Sequence, residues 1–350
     1  MAASELSGKV QTVLGPKDPG TLGVTLTHEH VLMHFKPLFV EPEEASQKAM
    51  ARHPITLEEL GWVRFNWASH REHLGLYDEE EIIEEVSLYD RAGGQSLVEA
   101  SSIGLGRDPL GLARVSRATG LNIIMGSGYY VEHFQSEDWK EMGEDAMVEQ
   151  IVKDVMEGVG DTGIRSGIIG EVGCSWPWTE AEKRSVRAAA RAQRETGAPL
   201  LIHPGRHPSA PLEITEVIAE AGGDLRRTIM SHIDRTIPDY EAVKKLAETG
   251  CYIEYDLFGL ESAIYPLAPI DMPNDGKRVD FIVQLIRDGH LDQIVVAHDT
   301  AFQTRLVRYG GHGYAHLIEN VIPIMRRKGM TQEQVQAIFV ENPKRMLTFV

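Results

Sequence analysis

The stretch Thr27-His28-Glu29-His30-Val31 closes an apolar, alternating run, Val24-Thr25-Leu26, and this stretch decides the fold. Side chains two positions apart on a strand point to the same side, so His28 and His30 project together while Glu29 faces away. Two imidazoles side by side at a strand end form half of a metal site. An isolated pair of this kind is more often two polar residues where a strand meets a loop, since imidazole has many other uses. Residues elsewhere in the chain are therefore needed to distinguish a metal site from two ordinary polar residues at a strand end.

The bulk composition is that of an ordinary globular protein. The 350 residues are 42% hydrophobic and 25% charged, which suits one large domain such as an α/β barrel. The formal net charge is −17, from 52 acidic against 35 basic residues. Nucleic acids and anionic membrane surfaces both attract basic residues, so we predict neither as a partner.

The cysteines and the N-terminus indicate a cellular compartment. Cys174 and Cys251 form neither a CxxC pair nor a disulfide framework. The segment Met1 to Ser7 lacks a basic region followed by an apolar core, so no signal peptide is predicted. No apolar run approaches the roughly 20 residues that a helix needs to cross a bilayer. These observations predict a reduced, cytoplasmic protein.

Short apolar strands alternate with helical segments about eight times along the chain, as in buried parallel sheets. One helix is predicted from Thr179 to Thr196, with Thr179 and Glu182 as a capping box. Two short strands, Lys9 to Leu14 and Leu22 to Leu26, are predicted before the alternation begins. We predict a single α/β domain over residues 1–350, a (β/α)8 TIM barrel with an N-terminal β-hairpin and elaborated C-terminal-face loops. An open doubly wound sheet is the alternative, but no glycine-rich dinucleotide fingerprint follows the first strand.

The segment Leu32 to His73 interrupts the alternation. Long insertions in compact domains are usually functional or disordered, and its aromatic content favours a packed excursion. We predict an elaborated loop over the site, partly helical from Thr56 to His70. Its exposed aromatic side chains could also serve a homo-oligomer interface. The aromatic residues are Phe35, Phe39, Trp62, Phe65 and Trp67.

Reactive residue types fall at the C-terminal ends of five predicted strands, where the active sites of barrels lie. Each has an ordinary explanation when taken alone, such as a hydrogen-bonded histidine, a surface carboxylate or a helix cap. A buried carboxylate is costly unless it is paired or binds a metal ion. A metal cluster explains all of these residues at once. They are His28, His30, Glu171, His203, His232 and Asp299.

These residues resemble the phosphotriesterase-like branch of the amidohydrolase superfamily, and within it the phosphotriesterase-related group. The resemblance implies a binuclear metal site in a (β/α)8 barrel. It implies that His28, His30 and Asp299 hold the more buried ion, while His203 and His232 hold the more exposed one. The motifs that carry it are Thr27-His28-Glu29-His30, Glu171, His203, Ser231-His232-Ile233-Asp234, His298-Asp299 and the closing stretch Glu341 to Leu347.

Glu171 departs from the pattern of many members of this branch, which carry a carboxylated lysine that bridges the two ions. No lysine lies between Arg165 and Lys183, so the resemblance implies that the Glu171 carboxylate bridges instead. This difference argues against efficient hydrolysis of phosphotriesters. Histidine and carboxylate ligands suit two divalent ions, with zinc (Zn2+) as the first expectation and manganese (Mn2+) or cobalt (Co2+) as alternatives.

The expected reaction is a hydrolysis. A water shared by two metal ions loses a proton readily, and we expect the resulting hydroxide to attack a carbonyl carbon. Asp299 would take up a proton and deliver it to the leaving group, so Asp299 and the bridging Glu171 are predicted as the catalytic residues. No nucleophile-elbow serine is found where a barrel would use it, and neither cysteine has a case as nucleophile.

Substrate contacts are predicted from position. Tyr129 and Tyr130 end a strand and are expected at the pocket mouth, although ordinary packing would explain them equally well. Arg235, Arg305 and Arg308 are candidates for holding an anion by charge-assisted hydrogen bonds. The alternative is that each is a solvated loop arginine.

The resemblance implies a small anionic N-acyl substrate, an N-acetylated amino acid or N-acetyltaurine. An amidase is therefore the first expectation. An esterase, lactonase or phosphotriesterase acting at the same site is the second. A metal-binding scaffold without turnover is the alternative from another functional class.

Overall fold

Eight parallel strands form a nearly closed barrel in the computed structural model, which describes residues 3–261, 265 and 267–350. Neighbouring strands follow one another around the sheet in chain order. The first and last strands meet where the Thr27 hydroxyl donates to the Val296 carbonyl oxygen at 3.3 Å. The predicted (β/α)8 fold is confirmed. The strands are β1 (Thr25–Glu29), β2 (Ser96–Glu99), β3 (Asn122–Ser127), β4 (Ile168–Gly173), β5 (Leu200–His203), β6 (Thr228–Met230), β7 (Tyr252–Tyr255) and β8 (Ile294–Val296).

A helix follows each strand on the outside of the barrel. The capping box of Thr179 and Glu182 is present at the start of the fourth helix, which ends at Gly197 in the left-handed conformation. The helices are α1 (Glu79–Arg91), α2 (Pro109–Thr119), α3 (Glu144–Met156), α4 (Glu180–Thr196), α5 (Ala210–Glu220), α6 (Tyr240–Ala247), α7 (Asp275–Arg287) and α8, which joins Leu317–Val321 to Ile322–Arg327. Shorter helical segments are Ala3–Leu6, Glu137–Glu141, Ile233–Thr236, Gln332–Gln336, Ala337–Glu341 and Asn342–Leu347.

The N-terminal hairpin is present, but its second arm was predicted in the wrong place. Val10–Thr12 pairs antiparallel with Gly15–Lys17, so the chain reverses direction between Thr12 and Gly15. Gly15 allows this tight reversal because it adopts a φ of +112°, which a glycine reaches without steric cost. The predicted arm Leu22 to Leu26 instead leads into β1, where Thr25 pairs in parallel with Ser96.

The excursion between β1 and α1 packs against the barrel. It begins and ends as a two-stranded ribbon of Met33–His34 and Gly75–Leu76. Its helices, Ala45–Met50 and Leu60–Phe65, are shorter than the predicted helical stretch Thr56 to His70. The rings of Phe35 and Trp67 are buried and lie 5.2 Å and 5.3 Å from the ring of Phe302. The excursion therefore forms a wall at the C-terminal end of the barrel.

Strand residues alternate between two apolar clusters. One faces the helices, and the other fills the barrel interior. Val10 of the hairpin and Leu347 of the last helical segment join the interior cluster and seal its N-terminal end. The polar site described below lies at the opposite end. Within the described residues, no helix combines the length and apolar character that a membrane span requires. The interior strand residues include Val98, Ile124, Leu201, Ile229 and Val295.

Candidate metal centre

All six residues predicted as metal ligands meet at the C-terminal end of the barrel. Donor atoms of His28, His30 and Asp299 lie within 4.8 Å of one another, as do donor atoms of His28, Glu171 and His232. His203 joins the same cluster, since its Nδ1 lies 2.7 Å from Oε2 of Glu171. Strand ends that are far apart in sequence thus converge on one polar cluster.

Glu171 is the centre of the cluster. Its Oε1 lies 3.4 Å from Nε2 of His30. Its Oε2 lies 3.5 Å from Nε2 of His28, 2.7 Å from Nδ1 of His203 and 3.5 Å from Nε2 of His232. One buried carboxylate therefore faces all four imidazoles, which is the position that a bridging ligand needs.

Two of the six residues have an unusual backbone conformation. Among the described residues other than glycine, positive φ angles occur at His232 (55°) and Asp299 (52°). A single such residue costs of order 1–3 kcal/mol, and such residues cluster at functional sites. The backbone N–H of Asp299 donates to the carbonyl oxygen of His28 at 3.2 Å. This bond holds the loop after β8 against the end of β1.

Unpaired imidazole nitrogens indicate that the cluster fits metal ions. Nε2 of His28 and Nε2 of His30 are buried, and neither makes a hydrogen bond to the residues that the structure describes. A buried polar atom without a partner is costly and rare. Both atoms face carboxylate oxygens of Glu171 and Asp299 at 3.1–3.8 Å. Imidazole nitrogens and carboxylate oxygens in this arrangement suit a pair of divalent transition-metal ions.

A surrounding shell of acids, which the sequence pattern did not predict, orients the histidines. Asp256 Oδ1 lies 2.9 Å from Nδ1 of His232, and its Oδ2 lies 3.2 Å from Nδ1 of His28. Glu254 Oε2 adds a contact of 3.3 Å to the same nitrogen of His28. A ligating histidine usually donates its other N–H to such a group, which fixes the tautomer. The available signal was two acids, two positions apart, in the apolar stretch Cys251 to Leu257.

His30 is held by a chain of two polar residues. Its Nδ1 lies 2.9 Å from the Ser101 hydroxyl oxygen, and that hydroxyl donates to Glu99 Oε1 at 2.6 Å. Burial raises the pKa of Glu99 to about 7. The ring of His30 is therefore held by residues at the end of β2, whereas the ring of His28 is held by residues at the end of β7.

Glu29 faces away from the cluster, as the strand alternation predicts, and it supports the loop that carries Asp299. Its Oε1 accepts hydrogen bonds from the backbone N–H of His298 at 2.8 Å and lies 2.7 Å from the ring Nδ1. Its Oε2 accepts from the backbone N–H of Thr300 at 3.0 Å. The two residues that flank Asp299 are thus anchored to β1.

The local electrostatics favour the forms that bind metal at Glu171 and His203. Burial raises the pKa of Glu171, but the facing His203 and His28 outweigh it and hold that pKa well below its usual range. Burial and the neighbouring His232 hold the pKa of His203 well below its usual value. Burial lowers the pKa of His28, but Glu171 and Asp256 outweigh burial and raise it well above its usual value.

A cavity of about 230 Å³ opens directly onto the cluster, with Glu171, His203, His232 and Asp299 in its floor. Its lining combines apolar and polar side chains. The apolar residues include Phe35, Leu38 and Phe302, and the polar ones include Tyr130, Arg206 and Arg235.

The two tyrosines predicted at the pocket mouth lie on different sides. Tyr130 lines the cavity, and its ring centroid lies 5.0 Å from that of His203. Tyr129 does not line the cavity, and its hydroxyl instead donates to the sulfur of Met142 at 3.4 Å. The two side chains diverge because consecutive side chains in extended backbone point to opposite sides.

Of the three predicted arginines, one lines the cavity and two do not. Arg235 lines the cavity, with one Nη atom 3.1 Å from Nε2 of His203. Arg305 does not line it: its guanidinium donates to the carbonyl oxygens of Phe258 and His298, at 2.8 Å and 2.9 Å. Arg308 lies outside, 3.2 Å from a carboxylate oxygen of Glu81. The guanidinium of Arg305 is thus engaged with backbone carbonyl oxygens outside the cavity lining.

Arg206 lines the cavity although the sequence pattern did not predict it as a substrate contact. It follows the predicted ligand His203 by three positions, in the loop after β5. Its guanidinium lies over the ring of Tyr265, 5.6 Å from the ring centroid. Its position directly after a strand end that carries a predicted ligand was the feature of the sequence that could have identified it as a cavity residue.

Comparisons with known proteins agree with this arrangement. The model of the phosphotriesterase family matches residues 8–347. The chain is 45% identical over 348 residues to the N-acetyltaurine hydrolase of Homo sapiens, and the match covers 99% of each. Among solved structures, a resiniferatoxin-binding protein from Rhodobacter sphaeroides is similar with a TM-score of 0.94 and 33% identity, covering 98% of this chain and 97% of that one. The organophosphorus hydrolase from Deinococcus radiodurans is similar with a TM-score of 0.77 and 27% identity, covering 97% of each chain.

Proposed function

The chain belongs to the phosphotriesterase family of metal-dependent hydrolases, and on that premise we propose that it cleaves the amide bond of short N-acyl amino acids, N-acetyltaurine among them. The observation that carries this proposal is a single cavity in which a metal-binding cluster faces Arg206 and Arg235. Within the described part of the chain, neither guanidinium forms an ion pair with a carboxylate. A short acyl amide with an anionic tail matches such a cavity in charge. The name of the human relative supports the same substrate class.

We propose that the cofactor is a pair of divalent ions, with zinc as the first choice and manganese or cobalt as alternatives. His28, His30 and Asp299 would hold the more buried ion, and His203 and His232 the more exposed one, with Glu171 shared. When bound, such ions polarise a carbonyl oxygen and lower the pKa of water. The buried free thiols of Cys174 and Cys251 fit the reducing cytoplasm as the place of action.

Asp299 is the proposed proton carrier. Its side chain is 20% exposed, whereas that of Glu171 is 2% exposed, so of the two ligand carboxylates Asp299 is the one that a water or substrate can approach. Asp299 takes the proton of the attacking water and gives it to the departing amine nitrogen. The new C–O bond forms first, and the C–N bond breaks once the nitrogen has received the proton, which leaves a carboxylic acid and an amine.

The apolar residues of the cavity fit the acyl group. Phe35, Leu38 and Phe302 are among them, and the rings of Phe35 and Phe302 lie 5.2 Å apart. These side chains leave space for a short acyl chain and limit the access of bulk water to the reacting carbonyl. A substrate would thus lie with its acyl group against the aromatic wall and its charged tail towards the arginines.

Hydrolysis of esters, lactones or phosphotriesters at the same site is the second candidate function. The similarity to the organophosphorus hydrolase of Deinococcus radiodurans favours it. The glutamate at position 171, where many family members carry a carboxylated lysine, argues against efficient phosphotriester hydrolysis. The amide therefore remains the first choice.

A hydrolysis panel tests the proposed function. Purified protein loaded with zinc, manganese or cobalt would be offered N-acetyltaurine, N-acetylated α-amino acids, a lactone and an aryl phosphotriester. We expect the highest kcat/KM for an anionic N-acetyl amide, with activity lost on chelation and restored by metal. A preference for the phosphotriester would overturn the amidase proposal, and hydrolysis of none of the compounds would favour a scaffold without turnover.

A further inference from the structure

Arg206 is half-buried, and its guanidinium makes few contacts. Its Nε is buried and makes no hydrogen bond to any residue that the structure describes. One Nη atom makes a long contact of 3.4 Å to the hydroxyl oxygen of Tyr265. Most donors of the guanidinium therefore have no partner among the described residues, and the side chain lines the cavity above the cluster.

The other arginine of the cavity is already occupied. Arg235 donates to the carbonyl oxygen of Pro204 at 3.1 Å and to the hydroxyl of Thr236 at 3.0 Å. It also lies 3.1 Å from Nε2 of His203. These contacts assign Arg235 to holding the β5 loop and the ring of His203, whereas most donors of Arg206 have no partner among the described residues.

The loop that carries Arg206 is held rigidly. A Cβ atom on Gly205 would lie 2.3 Å from the carbonyl oxygen of Ser175, so the two backbones approach too closely for any larger residue. On the other side, the ring of His207 stacks on Trp176 with a centroid distance of 4.4 Å. Arg206 is therefore fixed at its base on both sides, as a preorganised binding residue should be.

We propose that Arg206, with the Tyr265 hydroxyl beside it, forms the subsite that binds the anionic tail of the substrate, a sulfonate or a carboxylate. This inference rests on the proposed amide hydrolysis and names the residue that selects the charged substrate. A planar guanidinium can hold two oxygens of such a group, and the phenol adds a donor. Arg206 and Tyr265 line the same cavity as Glu171 and Asp299, so one small molecule can reach both the subsite and the reacting centre.

The test compares the variants Arg206→Gln and Arg206→Lys in metal-loaded, full-length protein. The substrates are N-acetyltaurine, N-acetyl-β-alanine and the uncharged N-propylacetamide. We expect Arg206→Gln to lower kcat/KM for both anionic amides by about 10- to 100-fold, mostly through KM, because a charge-assisted hydrogen bond is lost. The neutral amide should change by less than about threefold, and Arg206→Lys should recover part of the loss.

A binding measurement keeps this test independent of turnover. Calorimetric titration with propane-1-sulfonate should give a Kd that rises about 10- to 100-fold in Arg206→Gln. Arg308→Gln is the matched control, since this arginine lies at the same end of the barrel outside the cavity with a side chain that is 60% exposed. Unchanged metal content and thermal midpoint would show that the variants fold.

The outcomes separate this inference from the proposed function. Wild-type protein that hydrolyses no amide but binds propane-1-sulfonate through Arg206 would overturn the function and support the subsite. Equal losses on charged and neutral amides would overturn the subsite, as would an unchanged Kd for the sulfonate or a wild-type protein that does not bind it. Loss of charge selectivity in Arg235→Gln and not in Arg206→Gln would also overturn it.

Discussion

Asp256 holds His232 with both of its carboxylate oxygens. Oδ2 accepts from the backbone N–H of His232 at 2.9 Å, and Oδ1 lies 2.9 Å from the ring Nδ1. The same Oδ2 lies 3.2 Å from Nδ1 of His28. Burial raises the pKa of Asp256, but His232 and His28 outweigh burial and hold it well below its usual range. One ionised carboxylate therefore orients a proposed ligand of each metal ion.

Asp256→Asn should weaken metal binding. The amide keeps one acceptor but presents an NH2 group to one of the ring nitrogens that now face an oxygen. Loss of such a supporting carboxylate typically costs 10- to 100-fold in metal affinity, so we expect a decrease of about that size. Competition with a chromophoric chelator measures it. Asp292→Asn is the control, because its side chain is 80% exposed; equal affinities in the two variants would contradict the orienting role.

Asp299→Asn should separate metal binding from turnover. The amide oxygen can still ligate, but the side chain can no longer carry a proton, so kcat should fall by about 10²- to 10⁴-fold. Elemental analysis should find most of the metal retained. Glu171→Gln provides the contrast, since loss of the central carboxylate should remove metal and activity together. Full activity in Asp299→Asn would exclude the proton-carrier role.

The convergence of the six polar residues was predictable because it depends on periodicity alone. Parallel strands that alternate with helices bring their C-terminal ends together, and the alternation of side chains places His28 and His30 on one side and Glu29 on the other. The positions of these residues depend on the strands and not on the paths of the loops. The same reasoning applied to the strand Tyr252–Tyr255 would have included Glu254 and Asp256.

The substrate contacts were less predictable because they depend on the paths of loops. Arg206 and Arg305 both follow a strand end that carries a predicted ligand, yet one lines the cavity and the other folds back onto backbone carbonyls. The difference arises from local contacts, such as the close approach of Gly205 to Ser175, which no periodicity encodes. The hairpin was misplaced for a similar reason, since its register depends on the tight reversal at Gly15.

Gly205→Ala should damage the site through the backbone. The new Cβ would lie 2.3 Å from the carbonyl oxygen of Ser175, so one of the two loops has to move. We expect a loss of about 1–3 kcal/mol in the free energy of unfolding, together with a raised KM, because the same loop carries Arg206 and directly follows His203. Urea unfolding and steady-state kinetics measure the two effects.

Gly61→Ala is the matched control for that variant. Gly61 lies in the helix Leu60–Phe65, and a Cβ there meets no atom within 4 Å. Alanine in a helix should stabilise the protein by about 0.5–1 kcal/mol without changing KM. Similar changes in both variants would show that the effect of Gly205→Ala does not arise from the contact with Ser175.

His73 should make the stability of the protein sensitive to mild acid. Its ring is buried, its Nδ1 has no hydrogen-bond partner among the described residues, and it stacks on Phe302 with a centroid distance of 5.1 Å. Burial, with smaller contributions from His70 and Arg64, lowers the pKa of His73 from 6.5 to about 3. The unfolded chain therefore binds a proton below pH 6.5 that the folded chain refuses until about pH 3. The stabilising contribution is complete above the unfolded pKa and is lost as the pH falls towards the folded one.

His73→Phe should remove this part of the acid sensitivity, because phenylalanine can keep the stack on Phe302 and has no proton to bind. Between pH 7 and pH 5, the free energy of unfolding of the wild type should fall by about 2 kcal/mol more than that of the variant. Urea unfolding of the metal-loaded proteins at both pH values measures this difference, and contributions from the metal cluster cancel because the two proteins share it. His53→Gln is the control, since that side chain is 58% exposed and should leave the pH dependence unchanged. Equal pH dependence in His73→Phe and the wild type would mean that the folded chain accepts a proton at His73 as readily as the unfolded one.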